Sequence, residues 1–152
     1  MLSKPNGGWV DINIGGYILS ASYLTDIPMD FLNSVISSLK YNLPVSIFVD
    51  EEGTENLICA FYDVVFIISK EENGNLIEYK KIDMDFNLFR KSIIDDIEMN
   101  FNEWINWNME RDVEVLKARE DELRTKLFDA KECYKKSLKD IQPKEFCKFI
   151  IT

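Results

Sequence analysis

Asp83-Met84-Asp85 sets two carboxylates two residues apart, the spacing with which many magnesium-dependent phosphate enzymes hold one hard cation. That chemistry needs further oxygen ligands and a backbone cradle for phosphate. The glycine pairs Gly7-Gly8 and Gly15-Gly16 lack the strand, turn and helix context of such a cradle, so helix capping accounts better for the two aspartates. A second group, Asp50, Glu51, Glu52 and Glu55, crowds four carboxylates into six residues. It lacks the alternating ligands and distal glutamate of a calcium loop, and reads as a solvated turn or a contact surface for a basic partner. A third group, Asp95, Asp96, Glu98 and Glu103, falls mostly off the apolar face of a helix. Acid/base catalysis by paired carboxylates requires one of them to be partly buried with a raised pKa, which this spacing does not demand. This flank too reads as a solvated face or a surface for Lys and Arg.

The chain contains no histidine, which excludes Ser-His-Asp and Cys-His catalysis and His-containing zinc sites. Cys59, Cys133 and Cys147 are widely spaced with no CxxC pair, and read as free, mostly buried thiols of a reducing compartment. No catalytic set, metal site or cofactor motif emerges, and a non-enzymatic protein is expected. The 27 acidic against 18 basic residues give a formal charge of -9, which argues against binding nucleic acid through its phosphates. The excess is uneven: residues 1–110 hold 18 acids and 7 bases, residues 111–152 hold 9 acids and 11 bases. The first residues show neither the charged nor the apolar region of a secretory signal, and no stretch approaches the roughly 18 uncharged apolar residues of a membrane span, so a cytoplasmic protein is expected.

The elements that must position these groups follow from hydrophobic period. Val10, Ile12 and Ile14 alternate with Trp9, Asp11 and Asn13 as in a half-buried strand, Gly15-Gly16 suits a two-residue hairpin turn, and residues 17–24 return. Thr25 or Asp26 can cap a helix with Pro28 in its first turn and Phe31, Val35, Ile36 and Leu39 on its core face. Strands follow at 45–49, 57–61, 64–68 and 76–82, with Asn73-Gly74 as a hairpin signal. Five bulky β-formers from Val64 to Ile68 suggest a central strand covered on both faces.

From Asp83 the period lengthens to that of a helix, with Phe89, Ile93, Ile97, Phe101 and Trp104 or Ile105 on one face. Trp107 offers an indole that can anchor an interface if exposed. Beyond Asn108 a narrow stripe of Leu116, Leu123, Leu127, Ala130, Tyr134, Leu138 and Ile141 lies among charges, ending before Pro143. The expected architecture is one α+β domain over 1–152, with a mostly antiparallel sheet of about six strands. It has one helix between strands 2 and 3 (sheet region 9–82), a long helix or helical hairpin over 83–142, and a terminal strand at 146–152.

Three segments carry a resemblance: Trp9-Val10-Asp11-Ile12-Asn13-Ile14-Gly15-Gly16-Tyr17, Tyr23-Leu24-Thr25-Asp26-Ile27-Pro28, and Phe48-Val49-Asp50-Glu51-Glu52-Gly53. Over residues 9–107 the chain resembles small acidic bacterial immunity proteins that accompany toxins of contact-dependent growth inhibition and polymorphic secretion systems. The resemblance implies a cytosolic antidote that binds a cognate toxin domain, such as a basic nuclease, and neutralises it; it supplies no matched contact residues. An acidic surface would be steered to such a partner. On the residues alone, the contact candidates are Asp50, Glu51, Glu52 and Glu55 in the turn, Asp95, Glu98 and Glu103 on the helix, and Trp107. The competing expectation is a structural or adaptor protein that self-associates through the Leu116 to Ile141 stripe; the oligomeric state is left open by the sequence.

Overall fold

The computed structural model describes residues 1–71, 73, 74 and 76–139. Cys147, Ile141, Pro143 and the terminal strand expected at 146–152 lie outside the described residues. The fold is α+β, with six antiparallel strands in two sheets and four helices among the described residues.

β1 (Trp9–Ile14) and β2 (Tyr17–Ser22) form a hairpin paired from Trp9 with Ser22 to Ile14 with Tyr17. Its turn requires glycine: Gly15 and Gly16 have φ of +57° and +90°, and a Cβ at Gly15 would stand 2.6 Å from Ile82 Cγ2. α1 (Ile27–Tyr41) follows, then β3 (Val45–Asp50), β4 (Thr54–Phe61), β5 (Val64–Glu71) and β6 (Leu76–Asp83), which make a second sheet in the order β3-β4-β5-β6.

The single sheet expected from the sequence is therefore two. β2 and β3 meet through side chains: Ser20 N–H donates to Glu51 Oε1 at 2.9 Å and Asp50 N–H to Thr25 Oγ1 at 2.9 Å. These side chains satisfy the backbone groups that a continuous ladder would otherwise have paired. The helix cap is also corrected. Asp26 occupies the N-cap position of α1 without a side-chain hydrogen bond to it. Its carboxylate instead receives both terminal nitrogens of Arg119, at 2.8 and 3.0 Å.

Of the two arrangements expected over 83–142, one long helix or a helical hairpin, the described residues form the hairpin, and its first arm is itself broken. α2 (Phe86–Met99) is capped by Asp85, whose Oδ1 accepts from Leu88 N–H at 2.6 Å; α3 (Phe101–Ile105) is a short second segment, and α4 (Val113–Lys139) turns back along α2. The break falls at Asn100, which has φ of −109° and ψ of 31°; its backbone N–H and its side-chain Nδ2 both donate to Asp96 O, at 3.2 and 3.1 Å. α1 packs beside β3, and α4 lies on α1, α2 and α3. The core joins Ile12 and Ile14 of the hairpin, Phe31 and Val35 of α1, Ile58 and Ile67 of the sheet, Phe89 and Ile93 of α2, and Leu123 and Ala130 of α4.

Candidate functional site

Strand alternation gives the four-stranded sheet two faces. On the inner face Val45, Ala60 and Val65 lie side by side, as do Ile47, Ile58 and Ile67, all buried. On the outer face the equivalent row is Phe48, Leu57, Ile68 and Tyr79, each opposite the next across β3, β4, β5 and β6. These four are 49%, 41%, 39% and 56% exposed. Ile77 and Tyr62 extend the exposed apolar surface, and Phe66 stacks on Tyr79 with ring centroids 6.0 Å apart. β5 thus has hydrogen-bonded neighbours on both sides but, among the described residues, cover on one face, correcting the expectation of a strand buried on both. A contiguous apolar patch on a folded surface usually marks an interaction site.

The patch is bounded at one end by the β3–β4 and β5–β6 turns. The row beyond Phe48 and Leu57 is Asp50, Glu55 and Lys70, with Lys70 Nζ 2.6 Å from Glu55 Oε2. Between the two turns an open notch of about 530 Å³ is lined by Glu52, Gly53, Thr54, Glu71, Asn73 and Ile77.

The proposed turn carboxylates do different work. Asp50 Oδ1 accepts from Glu52 N–H at 2.7 Å, and Glu55 is paired with Lys70. Glu51 turns inward and joins the two sheets: it receives Ser20 N–H and, at 3.0 Å, Asn56 Nδ2, while buried Ser69 donates to Asn56 Oδ1 at 2.5 Å. Glu51, half-buried, thus has both carboxylate oxygens engaged within the chain. Glu52 is exposed, and its carboxylate has no hydrogen bond or ion pair among the described residues.

The helix flank is not brought to the turn. Asp95 pairs with Lys91, Glu98 with Lys131 of α4, and Glu103 with Lys4 at 2.6 Å. The hydrogen bond from Lys4 holds the Glu103 carboxyl below its ordinary pKa. Asp96 accepts the N–H of Leu2 at 2.7 Å. Three of the charges counted as a binding flank are thus balanced locally, and α2 lies toward the inner side of the sheet, away from the apolar patch.

Trp107 is 2% exposed, so it is no surface anchor. Its Nε1–H donates to Thr25 O at 3.2 Å, and its ring lies 5.1 Å from that of Trp104, also buried, so both indoles belong to the core. The break at Asn100 and the turn after α3 fold this segment inward. In the α4 stripe, Leu123, Leu127 and Ala130 are already covered within the chain.

The outer row was missed by sequence reasoning although its signal was present. From Leu57 to Phe61 in β4 and from Val64 to Ile68 in β5 both alternate sets are apolar, which fits either a strand covered on both faces or one whose second face awaits a partner; in β3 Phe48 stands between Ser46 and Asp50. Cys59, expected in a strand interior, lies within β4 on this outer face, half-buried, with Ser46 Oγ donating to its sulfur at 3.6 Å. Among the described residues no group of three or more Asp, Glu or Cys side chains is placed to hold a metal ion, and no helix is long and apolar enough to cross a membrane. No family model matches the chain, and no curated protein or solved structure matches it.

Proposed function

We propose that this chain is a non-enzymatic immunity protein that binds a cognate toxin domain in the cytoplasm and covers its active site or substrate path. The observation that carries the reading is the exposed row Phe48, Leu57, Ile68 and Tyr79, with acidic turns at one end. Protein interfaces place aromatic and aliphatic anchors at the centre and charge at the rim. A toxin that handles nucleic acid carries a basic surface, which Asp50, Glu52 and Glu71 would attract, so the rim favours fast association with such a partner. The docking surface in this reading is the outer sheet face, with Asp50, Glu52 and Glu71 and the Glu55–Lys70 pair as its rim and without Glu51 or Trp107. Self-association through the α4 stripe gains no support, because its central residues pack on the rest of the chain.

Co-expression with the product of the neighbouring gene tests the reading. The wild-type chain should form a stable complex with that product and protect cells from it, and Leu57→Asp should abolish both while remaining folded. Absence of a complex and of protection with the wild-type chain would sink the proposal. Full protection by Leu57→Asp would remove the outer face from it.

A further inference from the structure

The two edges of the four-stranded sheet are treated differently. β3 is closed off: the Ser34 hydroxyl of α1 donates to Ser46 O at 3.0 Å and accepts Ser46 N–H at 2.8 Å, and Thr25 Oγ1 takes the N–H of Asp50. β6 ends the strand order on the other side, and no described residue pairs with its outer edge. Its direction is fixed by parity. The two-residue turn at Tyr62 and Asp63 makes Phe61 and Val64 a hydrogen-bonded pair, so Val65, Ile67 and Ser69 turn to Ile82, Lys80 and Glu78. The Met84 N–H bond to Asp63 O, at 3.0 Å, continues the same alternation. Tyr79, Lys81 and Asp83 therefore aim their N–H and C=O groups at the side where no described residue pairs; at Ile77 the register shifts, Ser69 lying opposite Glu78 and Lys70 opposite Leu76.

We infer that β6 is a self-pairing edge: two copies of this chain join antiparallel through β6 about a two-fold axis at Tyr79, giving one eight-stranded sheet. A symmetric antiparallel pair that uses the outward groups can be centred on residue 78, 79, 80 or 81. Centring on 78 sets Glu78 against Glu78; centring on 80 or 81 sets lysine against lysine. Only the register at Tyr79 sets Glu78 of each copy against Lys80 of the other, on the inner face. Lysines on an edge strand ordinarily discourage pairing, and in this register they select it. Glu78 and Lys80 stand on the same side of β6, their charges 2.7 Å apart within one chain, where Glu78 also accepts from the Tyr17 hydroxyl; both are partly exposed, so the cross-axis pairs would add to these in-chain bonds. The register also joins the two outer rows at Tyr79, so Phe48, Leu57, Ile68 and Tyr79 run into their copies as one uninterrupted apolar stripe.

Sedimentation equilibrium on the full chain tests this with a pair of charge variants. Wild type should dimerise, and Lys80→Glu and Glu78→Lys should each weaken the dimer by roughly tenfold or more, because both cross-axis pairs become like-charged. An equal mixture of the two variants should recover the dimer mass, since both cross-axis pairs are then opposite in sign. A wild-type chain that stays monomeric at about 100 µM would overturn the inference, as would a mixture no stronger than either variant alone. Should a charge variant lose its folded circular dichroism, Lys81→Pro replaces it, removing an N–H that points away from β5. A wild-type-like dimer in that variant would also overturn the edge assignment.

Discussion

The two faces of the four-stranded sheet are built from the same kinds of residue and have opposite fates. Ile67 and Ile68 are neighbours in β5, yet Ile67 is buried against the core and Ile68 faces outward beside Leu57 and Tyr79. β-propensity and hydrophobicity are equal at the two positions. What differs is cover: the hairpin, α1 and α2 occupy one side of the sheet, and no described element occupies the other. Apolar character thus stabilises the fold on one face and is available for association on the other.

The sharpest way to break this comparison is a matched pair of substitutions. Ile67→Ala should cost about 2–5 kcal/mol in urea denaturation, because it opens a cavity in the core. Ile68→Ala should cost under about 1 kcal/mol while weakening the complex with the toxin domain measured by calorimetry. Equal stability losses would mean that the outer face is covered in the folded chain.

A similar contrast divides the acidic turn. Glu51→Ala should destabilise the protein by about 1–3 kcal/mol, since the half-buried Ser20 N–H and Asn56 Nδ2 lose their acceptor. Glu52→Ala should change stability by less than about 0.5 kcal/mol and should instead slow association and reduce its salt dependence. Reversed outcomes would restore the turn as one uniform acidic patch.

The smallest effect concerns pH, where the inner face meets the hairpin. Hydrogen bonds from Lys80 and then Tyr17 hold the Glu78 carboxyl below its ordinary pKa, and the same bond to Glu78 raises that of Tyr17. A carboxyl lowered by folding contributes stability above its unfolded value of about 4.3, lost as pH falls through the folded value. A phenol raised by folding contributes stability below its unfolded value of about 10, lost as pH rises through the folded one. Thermal unfolding of Glu78→Gln should therefore show a flatter acid limb than wild type, and Tyr17→Phe a flatter alkaline limb. Parallel limbs in variant and wild type would show that the bond does not form in solution.

Much of the local structure was legible because it rests on short-range rules. The alternation of Val10, Ile12 and Ile14, the paired glycines 15 and 16, and the capping position of Asp85 each depend on residues a few places apart. The candidate site was less legible. Spacing placed Glu98 and Glu103 correctly on the helical segments but could not show that Lys131 and Lys4 would balance them, because those lysines arrive from elsewhere in the chain. Nor could it show that the helix would break at Asn100 and that Trp107 would be buried, which required the contact with Thr25.

The sequence by itself determined the α+β class, the hairpin turns and the absence of histidine chemistry, since composition and near-neighbour periodicity are properties of the chain alone. Only the tertiary structure decided which apolar face would be covered, which acids would be spent on internal partners and which sheet edge no described residue pairs. Those outcomes turn on where α1, α2 and α4 come to rest. Cover is a property of what packs on a surface, and no period within one strand encodes it.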